Sequence, residues 1–197
     1  MDAAGIILAG GKSSRFQGNK ALAKIASQRL IDRVIGELAS VLPRVILVTN
    51  TPDEYRNLEA EVVMDILPGR GPLAGIHAGL ITSPFDLNFI AACDMPFINR
   101  EIVCYLINQA TASDDAVVPV IKGYPEPLAA VYRRTCIKAI EDVIIAKNFQ
   151  VKSFYPSIQV RYIPEKELME FGGGKNFFNV NTREDFRIAQ HIEGKNK

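Results

Sequence analysis

Short apolar runs alternate with segments of helical period along most of the chain. The runs Ala4–Leu8, Val45–Val48, Val62–Met64, Asn88–Ala92, Ala116–Val120 and Leu128–Tyr132 predict strands. Apolar residues three and four apart predict helices over Leu30–Val41, Leu73–Ile81, Ile102–Ala110 and Thr135–Ala146. The strand runs are nearly continuous in Val, Ile, Leu and Ala, the pattern of strands covered on both faces in parallel sheets. Strands alternating with helices point to βαβ units, hence to an α/β fold of three layers: Rossmann-like, with a mostly parallel sheet and helices on both faces.

The alternation weakens after about Phe149. A Gly-rich stretch, 171–176, leads into Phe177-Phe178-Asn179-Val180-Asn181, and a last helix is predicted with Thr182 as its N-cap, followed by Arg183-Glu184-Asp185. Residues 193–197 read as a frayed polar tail. With no internal repeat or linker, the 197 residues are expected to form a single domain spanning 1–197.

Composition narrows the function classes. Hydrophobic residues make up 48% and charged residues 23%, the range of soluble globular chains, so disorder and collagen-like repeats are excluded. Lys and Arg number 23 against 22 Asp and Glu, which leaves no basic face for nucleic acid; no nucleic-acid partner is expected. The three cysteines, Cys93, Cys104 and Cys136, form no Cys-x-x-Cys pair, which argues against a zinc site or disulfide framework and fits a reducing compartment. The apolar run at 3–9 has no basic leader and is too short to span a bilayer, so a cytoplasmic protein without membrane contact is expected.

In open α/β sheets ligands bind beyond the carboxyl ends of the strands, and four chemically interesting segments fall there. The first strand runs into Leu8-Ala9-Gly10-Gly11-Lys12-Ser13-Ser14-Arg15, with Lys20 beyond. Two glycines permit close backbone approach to phosphate oxygens, and Arg15 and Lys20 add positive charge. The spacing fits neither Gly-x-x-x-x-Gly-Lys-Ser nor Gly-x-Gly-x-x-Gly, and a lone Gly-Gly is more often an ordinary turn. Asp65 closes the third strand, before Gly69-Arg70-Gly71-Pro72, where a proline in a first helical turn would leave amides facing the crevice; a plain turn with a small-residue packing face fits equally well. Asp94, in Cys93-Asp94-Met95-Pro96, suits Mg²⁺ held with substrate phosphates, and equally an Asp opening a turn before proline. Cys93 reads as a packed thiol rather than a nucleophile. Asn179 and Asn181 lie on one side of an extended segment, as a polar ligand reader or as a turn feeding the last helix. Together the four segments point to phosphoryl or nucleotidyl transfer.

The set Leu8-Ala9-Gly10-Gly11, Arg15, Lys20, Gly71-Pro72-Leu73-Ala74-Gly75 and Cys93-Asp94-Met95-Pro96 resembles the molybdenum cofactor guanylyltransferases. Tyr124–Ala129, Tyr132-Arg133 and Phe178-Asn179-Val180-Asn181-Thr182 resemble that family's middle and C-terminal segments, so the likeness spans nearly the whole chain in order. It implies a nucleotidyltransferase fold and transfer of GMP from GTP to the molybdopterin cofactor, with release of pyrophosphate. It implies nucleotide binding by Leu8, Ala9, Gly10, Gly11, Lys20, Asn50, Asp65 and Asp94, Mg²⁺ at Asp94, and pterin contacts from Asn179 and Asn181. Attack of a phosphate oxygen on the α-phosphorus brings two anions together, so Arg15, Lys20 and Mg²⁺ carry the charge neutralisation. Expected partners are GTP, the molybdopterin cofactor, and proteins that supply and receive that cofactor.

Two segments depart from the family's pattern. The Asn-x-Asn after the second strand reads Val48-Thr49-Asn50, leaving Asn50 only, and the loop 15–20 lacks the Met, double Gly and Asp that usually precede the lysine. Competing expectations are a cytidylyltransferase acting on the same pterin, a sugar-phosphate nucleotidyltransferase, an NAD-dependent oxidoreductase using Gly69-x-Gly71-x-x-Ala74, and a GTP-binding module without catalysis.

Overall fold

The computed structural model describes residues 1–10, 16, 18–67 and 69–194. Its strands are β1 Ala3–Leu8, β2 Lys24–Ile25, β3 Gln28–Arg29, β4 Val45–Thr49, β5 Glu61–Met64, β6 Leu87–Ala92, β7 Ala116–Ile121, β8 Tyr124–Pro125, β9 Ala129–Arg133 and β10 Val160–Pro164. Its helices are α1 Leu30–Ala39, α2 Pro72–Thr82, α3 Arg100–Asn108, α4 Cys136–Ile145, α5 Glu165–Leu168 and α6 Arg183–Gly194. All six predicted strands and four predicted helices are present, with ends shifted by a residue or two.

The main sheet runs β10-β7-β9-β6-β1-β4-β5, with β8 paired to β7. β5, β4, β1 and β6 are mutually parallel; β9 is antiparallel to both β6 and β7, and β10 is parallel to β7. The chain moves outward from β1 in one direction through β4 and β5, then returns to β6 on the other side. That reversal leaves a crevice at the carboxyl ends of β1 and β6, where open α/β sheets bind ligands.

Alternation along β1 sends successive side chains to opposite faces. Ala3 and Ile7 join the core under α1 and α3, with Ile31, Val34, Leu38, Val103 and Leu106. Ile6 and Leu8 join the core under α2 and α4, with Leu73, Ile76, Leu80, Ile140 and Ile144. Helices on both faces of one sheet give the expected three layers. At Gly79, in α2, an added Cβ would lie 2.4 Å from Ile6 Cγ2, so only a glycine lets α2 lie this close to β1.

The last quarter of the chain departs most from the expectations. β10 is an edge strand whose residues are mostly half-buried or exposed, so no continuous apolar run announces it. α5 has four residues, too few for a helical period. α6 begins as expected: Thr182 Oγ1 accepts the Asp185 amide at 3.1 Å, and Asp185 Oδ2 accepts the Thr182 amide at 2.8 Å. Glu193, expected in a frayed tail, instead lies within α6 and pairs with Arg33 at 2.9 Å, while 195–197 fall outside the described residues.

Candidate functional site

A cavity of about 570 Å³ opens at the carboxyl ends of β1, β4 and β6. The predicted residues Leu8, Gly10, Lys20, Asn50, Asp65, Asp94, Asn179 and Asn181 all line it. A second hollow of about 680 Å³ shares Gly10, Lys20, Asn50, Gly69 and Cys93 with the first and adds Ala9, so the two form one cleft over the end of β1. Arg15 and Gly11, predicted for the same loop, lie outside the described residues.

The strand ladder extends past the last sheet residues and sets the back wall. The Ala9 amide donates to Val48 O at 2.9 Å, the Cys93 amide to Leu8 O at 3.2 Å, and the Ala92 amide to Leu128 O at 2.9 Å. These bonds fix the backbone that leads into Gly10 and Asp94. Among the described residues nothing lies in the Cβ direction of Gly10, which is exposed and lines the cleft. Asp94 is only 7% exposed, and its backbone carbonyl accepts the Val180 amide at 2.9 Å. That bond brings the C-terminal segment across to the end of β6, with Asn179 and Asn181 flanking the contact.

Lys20 stands at the centre. Its ammonium pairs with Asp94 Oδ2 and donates to Asn181 Oδ1 at 3.0 Å. It is the first residue of a 3₁₀ turn, Lys20–Leu22, capped by the Asn19 side chain, which accepts the Ala21 amide at 3.1 Å. One cation thus joins three segments predicted separately. Asn179, by contrast, donates to Phe177 O at 3.2 Å, a local turn contact, and still lines the cavity.

Asp65 shows both of its predicted characters. It lines the cavity just after β5, and its Oδ1 accepts the Leu67 amide at 2.8 Å, an Asx turn. Gly71 precedes α2 with φ of 68°, a left-handed conformation suited to glycine, and Gly71, Pro72 and Gly75 reach the cavity. The positive end of the α2 dipole therefore points at the place where an anion would sit.

One oxygen of the Asp94 carboxylate, Oδ1, is buried with no hydrogen-bond partner among the described residues. A spare carboxylate oxygen beside a cavity fits a hard cation such as Mg²⁺, which takes one or two protein oxygens and completes its shell with substrate phosphates and water. Among the described residues no group of three or more His, Cys, Asp or Glu is arranged for a metal, so the protein's share would be Asp94. Cys93 behaves as expected of a packed thiol: burial and the neighbouring Asp94 push it up to about 12, far from an activated nucleophile.

Sequence reading missed Tyr55 as a site neighbour and Leu128 as a lining residue, and it marked Asn19 only as a departure from the family's loop beside Lys20, without its partners. Tyr55 sits in a short 3₁₀ turn, Pro52–Tyr55, with no periodicity to mark it. Leu128 reads in sequence only as the start of a strand; its carbonyl in fact bonds the end of β6.

The MobA-like NTP transferase domain family matches residues 5–159. The chain belongs to that family. It is 39% identical over 193 residues to a molybdenum cofactor guanylyltransferase of Desulfosudis oleivorans, with 96% of each chain covered. A probable molybdenum cofactor guanylyltransferase of Pelotomaculum thermopropionicum is 40% identical over 191 residues, covering 96% of this chain and 93% of that one. The crystal structure of molybdopterin-guanine dinucleotide biosynthesis protein A from Archaeoglobus fulgidus shares the fold with a TM-score of 0.87 and 29% identity, over 98% of this chain and 99% of that one. As a family member with a sheet-edge cleft built on Gly10, Lys20 and Asp94, the chain is a nucleotidyltransferase. Among the described residues, no helix is long and apolar enough to cross a membrane.

Proposed function

We propose that this chain transfers GMP from GTP to the phosphate of the molybdenum-bound molybdopterin cofactor and releases pyrophosphate. The observation that carries the reading is the Lys20 ammonium, held between Asp94 and Asn181 at the junction of β1, β6 and the C-terminal segment. One residue there touches both the side proposed for the nucleotide and the side proposed for the pterin. The full-length likeness to molybdenum cofactor guanylyltransferases supports the same substrates.

In this mechanism a phosphate oxygen of the acceptor attacks the α-phosphorus of GTP, and the bond from that phosphorus to the pyrophosphate oxygen breaks. The backbone at Gly10 lets the triphosphate approach the sheet edge, and Lys20 neutralises charge as two anions meet. Asp65 and Asn50 hold the nucleoside from the β4 and β5 side, and Asn179 and Asn181 orient the pterin. Arg15 adds a second cation from the β1 loop. Asp94 would hold Mg²⁺, which would add positive charge to neutralise the substrate phosphates. The Cys93 thiol, pushed up to about 12, is no activated nucleophile, and direct transfer between the two substrates needs no covalent enzyme intermediate.

Calorimetric titration of GTP, CTP and ATP with and without Mg²⁺, followed by a turnover assay with the molybdopterin cofactor, tests this reading. GTP preference with Mg²⁺-dependent pyrophosphate release is expected. A preference for CTP would move the same site to cytidylyl transfer, and GTP binding without release would leave only a binding module.

A further inference from the structure

The two amide hydrogens of Asn19 both leave the lysine loop. Nδ2 donates to Glu54 Oε2 at 2.5 Å and to the Tyr55 hydroxyl at 2.8 Å, both in the 3₁₀ turn after β4. Its carbonyl oxygen accepts the Ala21 amide and caps the turn that begins with Lys20. One side chain thus ties the turn carrying the central cation to a separate element more than thirty residues away. Tyr55 is only 3% exposed, so that end of the tie is anchored in the core under α1. Burial pushes its phenol up to about 12, so it remains protonated at neutral pH.

We infer that Asn19 is a positioning residue for Lys20, and that Glu54 is matched to an amide, not a carboxylate, at position 19. This rests on the assignment of Lys20 to the triphosphate. The Glu54 carboxylate requires a donor at that atom, which asparagine supplies and aspartate does not, whereas the Tyr55 hydroxyl can pair with either. An Asp at position 19 would set its charge against Glu54 at hydrogen-bond distance. With the tie broken, the Lys20 turn keeps its Ala21 cap yet loses its anchor to the β4 side. The lysine then spends less time beside Asp94 and Asn181.

The test is a double-mutant cycle of Asn19→Asp and Glu54→Gln, read by the kinetics of GMP transfer and by GTP affinity. Asn19→Asp should lower kcat/KM for GTP by about tenfold, as expected for replacing the Glu54 hydrogen bond by a like-charge contact. Glu54→Gln keeps an acceptor for Asn19 and should act within about twofold of wild type. The double variant reverses the polarity: the amide introduced at position 54 donates to the carboxylate introduced at position 19, and the Tyr55 hydroxyl can do the same. It should recover to within about threefold of wild type, which a merely structural lesion at position 19 would not do. Tyr55→Phe, which removes one arm and no charge, should cost several-fold and serves if Asn19→Asp fails to fold. An Asn19→Asp enzyme with wild-type kinetics, or a double variant as impaired as Asn19→Asp, overturns the inference; so does a wild-type-like Tyr55→Phe. If the wild-type protein binds GTP yet transfers no GMP, the proposed function fails, and the same pattern in GTP affinity still decides the positioning role.

Discussion

One wall of the cleft is formed by the carboxyl ends of β1, β4 and β6, the other by the extended segment 179–181, and different forces hold them. The sheet wall is clamped by ladder hydrogen bonds and by two cores, one on each face. The segment wall rests on a small satellite cluster in which Val180 packs with Ile25, Leu30 and Ala189, rimmed by Phe16, Phe97, Phe178 and Phe186. Its link to the sheet wall is the Val180 amide to Asp94 carbonyl bond and the Lys20 to Asn181 bond. Disturbing the first wall therefore disturbs the whole fold, whereas the second can loosen by itself.

Lys20 is where the walls meet, so its removal should have the largest effect. Lys20→Ala is expected to reduce turnover by about 10²–10³-fold, the usual range for losing one preorganised stabiliser of transition-state charge. Asp94→Ala should fall in the same range, with the added feature that raising Mg²⁺ does not restore it. Circular dichroism and thermal melting should show both variants folded, because neither residue belongs to the apolar cores. Wild-type turnover by either variant would remove that residue from the proposed mechanism.

The next effect separates the walls by stability. Gly79→Ala places a methyl 2.4 Å from Ile6 Cγ2, between α2 and the central strand, and should cost about 1–3 kcal/mol of overpacking. Urea denaturation would read it as a lower midpoint with an unchanged slope. Asn181→Ala, on the segment wall, should leave that midpoint nearly unmoved, weaken pterin binding several-fold, and change GTP affinity much less. Equal loss of both affinities would make Asn181 a structural support for Lys20.

The same contrast explains what could be read from the chain. β1, β4 and β6 are covered on both faces and α1 packs against them through one side, so burial leaves apolar runs and a helical period that are plain in sequence. β10 lies at the sheet edge with Arg161 and Tyr162 exposed, and α5 is too short to show a period; such elements exist through pairing with β7, not through their own pattern. The site divides likewise. Gly10, Asp65 and Asp94 follow strand ends, so their place was legible once the strands were. That Lys20 and Asn181 bond directly, across 161 residues of chain, depends on the satellite cluster and the Asp94 carbonyl, for which sequence has no local signal. Asn19 could be seen as a departure from the family's pattern, while its partners Glu54 and Tyr55 could not.

The smallest effect probes the rigidity of the sheet wall. Cys93 lines the cleft, directly before Asp94, yet it is buried and pushed up to about 12. Alkylation needs the thiolate, and at pH 8 a thiol with a pKa of about 12 presents it in only about one molecule in 10⁴. Cys104, on α3, is half-buried and outside the cleft. Iodoacetamide at pH 8, followed by peptide mass spectrometry, should therefore modify Cys104 well before Cys93. GTP should leave the slow Cys93 rate nearly unchanged, because reaction there waits on opening of the wall and not on access through the cleft. If Cys93 instead reacted as fast as Cys104 and saturating GTP protected it, the end of β6 would be opening in the resting protein. The contrast between a fixed sheet wall and a looser segment wall would then collapse, and Asp94 would have to be placed by its ligands rather than by the strand.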